Sequence, residues 1–405
     1  MPEQSRLPAA SPHDAVITGI GLASCLGDGL QAHRAALDPA PGGFRPVLDA
    51  ASCAPYAVHP IVALEYERQI PKRQDQRQME PWQRIGTYAA GAALEQAGVK
   101  GVPDLLARTH MIVAAGGGER DAAVDAAILS ALPHTENPDA LLNERLLTDL
   151  RPTLFLAQLS NLLAGNISIV HGVVGSSRTF MGEEAAGVDA VRTAVARITA
   201  GQGDLFLVGG SHNAQRPETP MLYAMGGTLL NGDFAAVRAR QKGGGGMVLG
   251  SLGCFLVIES RAHAAARGAT PIARIAAVAS DRCTRGPGAA TGNAKRQLAV
   301  MERLLDRGAA AVVSGASGVA APTQEELEFL DALGLPVRAT ATALGHTMEP
   351  SFIANIALAA DAVAQGRLFA PLEDGEAAMA TPLRQALVTG WGHWRGEGMA
   401  LVTGA

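Results

Sequence analysis

"GSSRTFMGEEAAGVDAV", residues 175–191, is the stretch that decides the fold of this chain. It opens on small residues, turns through Gly182, and runs into "EAAGVDAVRTAVARITAG", whose apolar positions recur at helical period. An apolar strand, "NISIVHGVVG" (166–175), is expected to feed the turn from Ser176 to Glu184, and the strand "DLFLVGGS" (204–211) to follow the helix. Such a turn presents a nucleophile at the start of a buried helix, yet Glu183 and Glu184 stand where a cysteine or serine would be sought. A carboxylate at a helix start meets free backbone N–H groups and the positive end of the helix dipole. Plain capping explains an exposed glutamate there, but explains poorly why the neighbouring residues look buried.

Outward from this segment the chain alternates between β-branched runs and amphipathic stretches. "DAVITGIGLAS" (14–24), "HMIVAAGGG" (110–118), "FLVIES" (255–260), "ARIAAVAS" (273–280), "AAVVSGASG" (310–318), "ALVTGWG" (386–392) and "MALVTGA" (399–405) read as strands. "RIGTYAAGAALEQAG" (84–98) reads as a helix whose apolar stripe ends on a glycine suited to a C-cap. Strands that are apolar throughout, with helices between them, argue for a largely parallel sheet covered on both faces. The expected organisation is a flexible tail over 1–13 and two α/β halves, 14–260 and 261–405.

Composition removes several classes of function. The 405 residues are 48% hydrophobic and 18% charged, which is a globular composition, and the net charge of −5 gives no cationic field for nucleic acid. Cys25, Cys53, Cys254 and Cys283 have no pair spacing, so they predict reduced thiols in a cytoplasmic protein and neither disulfides nor a zinc site. The uncharged run 152–177 is interrupted by Gln158, Asn161, Asn166 and His171 and by three glycines; it predicts a buried helix and strand, with no membrane span. "AAGGGERD" (114–121) and "KGGGG" (242–246) lack nucleotide-loop spacing and read as turns, the second approaching a ligand channel. Lys72, Arg73, Arg77 and Arg84 form a basic loop; docking of an acidic protein is its sharper reading.

Six segments in order resemble the β-ketoacyl-acyl-carrier-protein synthases, condensing enzymes of the thiolase fold. "VITGIGLASCLGDG" is similar to their entry strand and "RQMEPWQRIGTYAAGAALEQAG" to their first long helix. The opening stretch resembles their nucleophile segment, "GGGGMVLGSLGCFLVIE" their glycine-rich strand, "ALGHTMEP" their Gly-His-x-x-Gly motif and "GWGHWRGEGMALV" their last turn. The resemblance implies a thiolase-like fold of two pseudo-duplicated α/β halves layered αβαβα. It also implies an acyltransferase lineage that needs no cofactor or metal, with substrates carried on the phosphopantetheine arm of an acyl carrier protein.

At the catalytic positions the chain departs from that family. Glu184 stands in place of the cysteine, Ser314 in place of the first histidine and Ala341 in place of a lysine; His346 is the second histidine, and His393 occupies the position whose backbone N–H completes the oxyanion hole. A carboxylate cannot take over transthioesterification, because it would form a mixed anhydride in place of a thioester. The leading expectation is therefore a chain-length-factor-like subunit of fatty acid synthesis, in a homodimer or in a heterodimer with an active ketosynthase, with the 167–174 strand at the interface. "IVAAGGGERD" and "RPTLFLAQLSNLLAGNISIVHG" resemble variants serving very-long-chain acyl synthesis for lipid A; polyketide and polyene pathways stay open. Two other readings also stay open: an acyltransferase or malonyl carrier-protein decarboxylase acting by itself through His346 with Glu184 as general base, and a scaffold binding acyl chains or carrier protein.

Overall fold

The fold is seen in a computed structural model that describes residues 9–38 and 43–405. Most of the tail expected over 1–13 lies outside the described residues. The strands are β1 (Ala15–Ser24), β2 (Gly27–Asp28), β3 (His110–Ala114), β4 (Ser177–Phe180), β5 (Leu205–His212) and β6 (Leu252–Ser260), followed by β7 (Ala273–Asp281), β8 (Ala310–Ser314), β9 (Val337–Ala339), β10 (Gln385–Trp391) and β11 (Glu397–Thr403). They lie in the order β4-β3-β5-β6-β1-β7-β11-β10-β8-β9, with β2 hairpinned onto β1. From the β1–β7 seam outward, each side repeats one pattern: first strand, fifth, fourth, second, third. The topology is thus a doubled α/β unit.

Three apolar layers hold the doubled unit together. The middle one is built on two helices, Glu184–Thr199 and Ser351–Gln365, which pack against each other and against strands of both sides. Its core joins Ile17, Val208 and Ile258 to Ile275, Val313 and Val388 through Val188, Val191, Phe352 and Ile356. The helix Pro81–Gln96 closes one outer face through Ala89, Ala93 and Leu94, and the helices Ala289–Met301 and Ala320–Leu333 close the other through Leu298, Phe329 and Leu330. Helix, strand, helix, strand, helix is the layering expected from the resemblance. The glycines of "TGIG" in β1 are there for close approach: a Cβ on Gly21 would lie 1.8 Å from the Ala89 carbonyl oxygen of the outer helix.

Two expectations need correction. The sheet is mixed, because β5–β6, β6–β1, β1–β7, β7–β11 and β11–β10 are antiparallel and only the wings β5–β3–β4 and β10–β8–β9 are parallel. Strands buried on both faces are apolar in either direction, so their composition carries no sign of orientation. The run 166–175 is not a strand either: residues Leu162–His171 form a helix that buries Leu163, Ala164, Ile167 and His171, ends on left-handed Gly172, and leaves Ile169 and Val174 exposed. The strand that enters the decisive turn is β4, Ser177–Phe180. No helix among the described residues is long and apolar enough to cross a membrane.

Candidate active site

Both middle helices begin at the same place. Gly182 and then Glu183, at φ 56°, turn the chain so that Glu184 is the first residue of its helix; Met348, at φ 54°, does the same shortly before Ser351. A left-handed conformation at a residue that carries a Cβ costs about 1–3 kcal/mol and persists only where the surroundings enforce it. The two strained turns place Glu184 beside His346, and the turn after β10 brings in His393.

One oxygen organises the cluster. Glu184 Oε1 accepts hydrogen bonds from His346 Nε2 at 2.6 Å, from the His393 backbone N–H at 3.1 Å and from His393 Nδ1 at 2.8 Å. A carboxylate only accepts, so both ring nitrogens facing it carry protons. All three side chains are at most 5% exposed. Burial by itself would raise the Glu184 carboxyl, but the charge and hydrogen bond of His346, joined by those of His393, hold it well below the ordinary carboxylate range. His393 is the other end of that balance: burial pulls its pKa down, and Glu184 with Glu183 pulls it up further, so the net shift is upward. Its far nitrogen, Nε2, lies 3.7 Å from Glu183 Oε2.

Three residues that the sequence reading did not single out complete the surroundings. Tyr223 donates its hydroxyl to Glu183 Oε1 at 3.0 Å and sets its ring edge-on to His393. Glu349 is buried, and burial together with the charges of Glu183 and Glu184 pushes its carboxyl up to about 7. Its carboxylate fits because residue 116 is glycine, where a Cβ would come within 2.6 Å of Oε1. His212 is buried, and its Nε2 has no hydrogen-bond partner among the described residues. Glu349 had a visible signal, since it stands where the resembled Gly-His-x-x-Gly motif has its second glycine.

Ser314 does not join this cluster. It is fully buried at the end of β8, where its hydroxyl donates to Glu326 Oε1 at 2.8 Å and accepts the Ala316 N–H at 3.1 Å. Thr389 donates to the same oxygen at 2.6 Å, and burial raises the Glu326 carboxyl to about 7. Ala341 is buried and brings no cation to His346. The glycine run 242–246 packs on the loop after β8, where the Gly246 N–H donates to the Gly318 carbonyl at 2.6 Å.

The cluster stands between two cavities. One, of about 510 Å³, is lined by Trp82, Glu183, His212, Tyr223, Glu349 and four methionines, Met181, Met221, Met225 and Met348. The other, of about 1200 Å³, has His393 and Trp394 on one wall and Arg282, Arg285 and Arg395 among its other lining residues. The smaller cavity is methionine-rich and the larger one arginine-bearing, with the Glu184 cluster between them. The Glu184 carboxylate oxygen already occupies the donors that would otherwise meet a substrate carbonyl.

Residues 64–264 match the model of the β-ketoacyl synthase N-terminal domain. The 3-oxoacyl-[acyl-carrier-protein] synthase 2 of Vibrio cholerae is 25% identical over 268 residues, covering 64% of this chain and 61% of that one. Nodulation protein E of Rhizobium leguminosarum is 28% identical over 273 residues, covering 65% and 62%. The match therefore spans about three fifths of the length of these relatives. Among solved structures, the ishigamide ketosynthase/chain length factor superposes with a TM-score of 0.77 at 18% identity, covering 97% of this chain and 99% of that one. A type II polyketide synthase ketosynthase, solved in complex with its acyl-carrier protein, gives 0.71 at 17% identity, covering 98% and 100%. At such identities these structures establish the ketosynthase fold, thiolase-like, across nearly the whole chain.

Proposed function

We propose that this chain, whose residues 64–264 match the β-ketoacyl synthase N-terminal domain, is a β-ketoacyl synthase relative that serves as a non-elongating, chain-length-factor-like partner of an active ketosynthase. The observation that carries the reading is that Glu184 Oε1, at the position the resemblance assigns to the cysteine, is held by three donors. No thiol takes over its role. Cys25, Cys53 and Cys254 are buried, and burial raises each of their pKa values. Cys283 lines the larger cavity, but burial and then the Glu397 charge raise its thiol, which donates to Glu397 Oε2 at 3.4 Å.

A surface suited to a partner supports the reading. Among the described residues β4 is an edge strand with one side unpaired, and near the smaller cavity Met181, Met221, Leu222 and Met225 are each more than 60% exposed. Exposed apolar groups beside a free strand edge favour association. In this assembly the partner supplies the thiol and the chain shapes the acyl chamber; acyl carrier protein delivers substrate to a cytoplasmic complex. Fatty acid synthesis is the proposed pathway, with very-long-chain acyl synthesis for lipid A as its narrower form.

Reconstitution with a cysteine-bearing ketosynthase and its acyl carrier protein tests this. The expected result is a stoichiometric complex whose product length changes when the chain is present, with Met225→Asp abolishing co-purification while circular dichroism is unchanged. A lone chain that elongates acyl groups, or that releases carbon dioxide from malonyl carrier protein in a His346-dependent way, overturns it.

A further inference from the structure

The Glu184 cluster has a second chemical possibility that the partner role does not require. One carboxylate oxygen and two imidazole nitrogens, those of Glu184, His346 and His393, lie within 4.8 Å of one another in a nearly closed site. That donor set, with further positions left to solvent or ligand, is the kind that holds divalent transition metals. Four-coordinate zinc places ligand atoms about 3.3 Å apart at bond lengths of about 2.0–2.1 Å. The observed 2.6 and 2.8 Å from Oε1 to the two nitrogens are short of that by roughly 0.6 Å, a shift within reach of the Glu184 side-chain torsions.

The surroundings point the same way independently. Glu183 and Glu349 line the cavity beside Glu184 and add two carboxylates to the region, while Arg120 and Arg216 also line it and the Arg216 charge reaches Glu349. Buried carboxylates are stable when paired, protonated or bound to a cation. His212 lines the same cavity as Glu183 and Glu349, with a fully enclosed and unpartnered Nε2, and lies close enough to His346 to be coupled to its charge. An unsatisfied imidazole nitrogen at this spot is a donor atom with nothing to bind.

We propose that Glu184, His346 and His393 form a binding site for a divalent transition-metal ion of the zinc class, with His212 and Glu349 as its outer partners. Binding needs the ring nitrogens that face Oε1 free of protons, so a proton moves to the other ring nitrogen of a neutral imidazole and is released to solvent by an imidazolium. The site combines the turn before one middle helix, the turn before the other, and the turn after β10. An ion there ties the two sides of the sheet together.

The test uses the full chain, stripped with chelator and titrated with Co²⁺ while the visible absorption bands of four-coordinate cobalt are followed, then back-titrated with Zn²⁺. One equivalent of cobalt is expected to bind and to be displaced by zinc. Glu184→Gln and His393→Ala should each weaken binding by at least roughly the 10–100-fold seen on losing even an outer partner of a metal site. Absence of saturable cobalt binding in folded wild-type protein overturns the proposal, as does binding that both variants leave unchanged. Because the readout is metal uptake by the isolated chain, it is separate from whether a ketosynthase partner exists.

Discussion

Replacing Glu184 by glutamine removes one charge and almost no volume, so it isolates what the carboxylate does in the folded chain. Three donors converge on Oε1. Hydrogen bonds to a charged acceptor contribute about 1.5–3 kcal/mol and neutral ones about 0.5–1.5, so the change forfeits roughly 1 kcal/mol per bond, about 3 kcal/mol for the set. Relief of repulsion with Glu183 returns about 1 kcal/mol at the distances of neighbouring side chains, Glu349 being protonated below its pKa of about 7. The expected net loss is about 2 kcal/mol.

The pH dependence of that loss has a definite sign. The depressed Glu184 carboxyl stabilises the fold fully above its unfolded value of 4.5, and this contribution fades as pH falls through the lower folded value. The raised His393 pKa gives stability that is complete below 6.5 and is lost as pH climbs through the higher folded value. These are two ends of one interaction, so the gap between wild type and variant is widest between pH 4.5 and 6.5. Chemical unfolding of chelator-treated protein at mid-window measures it, and NMR titration of the His393 ring should show its pKa falling in the variant, where Glu183 alone of the two glutamates still opposes burial. A variant within about 0.5 kcal/mol of wild type, the ordinary range for a surface substitution, and an unmoved His393 titration would refute the anchoring role.

Glu184→Cys should restore a thiol at the helix start and accept an acyl group from carrier protein, visible as a mass increment, yet yield no elongated product, because Ser314 is turned to Glu326 and Ala341 supplies no cation; efficient elongation by that single variant counts against the reading of the site. Glu259, whose side chain is fully enclosed, is pushed up by burial but held down to about 2 by its hydrogen bonds with Arg267, His263 and Thr18. Its contribution, about 3 kcal/mol from a shift of 4.5 to about 2, is present above pH 4.5 and lost on acidification toward 2. Acid unfolding of Glu259→Gln should therefore be flatter across that window. Gly21→Ala drives a methyl group to 1.8 Å from the Ala89 carbonyl oxygen and should cost upwards of about 3 kcal/mol, read as loss of folded protein on expression; normal yield and melting would show that the outer helix can withdraw.

The elements that were legible in the sequence were those whose local pattern and tertiary setting agree. β1, β7, β8 and β10 combine apolar runs with flanking turns, and the helix Pro81–Gln96 carries an intact capping box at Glu80 and Gln83. The helix Leu162–His171 was misread because Ile167, Ile169 and Val170 favour strands locally, while burial of Leu163, Ala164, Ile167 and His171 at helical spacing decides the outcome. For the site, motif order located Glu184, His346 and His393 although 162 and 209 residues separate the glutamate from its two partners. Glu349 stands inside the resembled Gly-His-x-x-Gly motif, whereas His212 and Tyr223 were missed because nothing local marks them. Their importance comes from which loops meet, and that depends on the sheet order.

The mirrored strand order around the β1–β7 seam sets a rule for how this protein can change. Glu183 and Met348 are twin turns, one in each copy of the doubled unit, and the pocket is the place where the two copies face each other. Neither copy owns the chemistry, so drift in one loop reshapes what the opposite loop must tolerate. The residue at 184 comes from one copy and His346, which bonds it, from the other, so a substitution at either is felt across the seam.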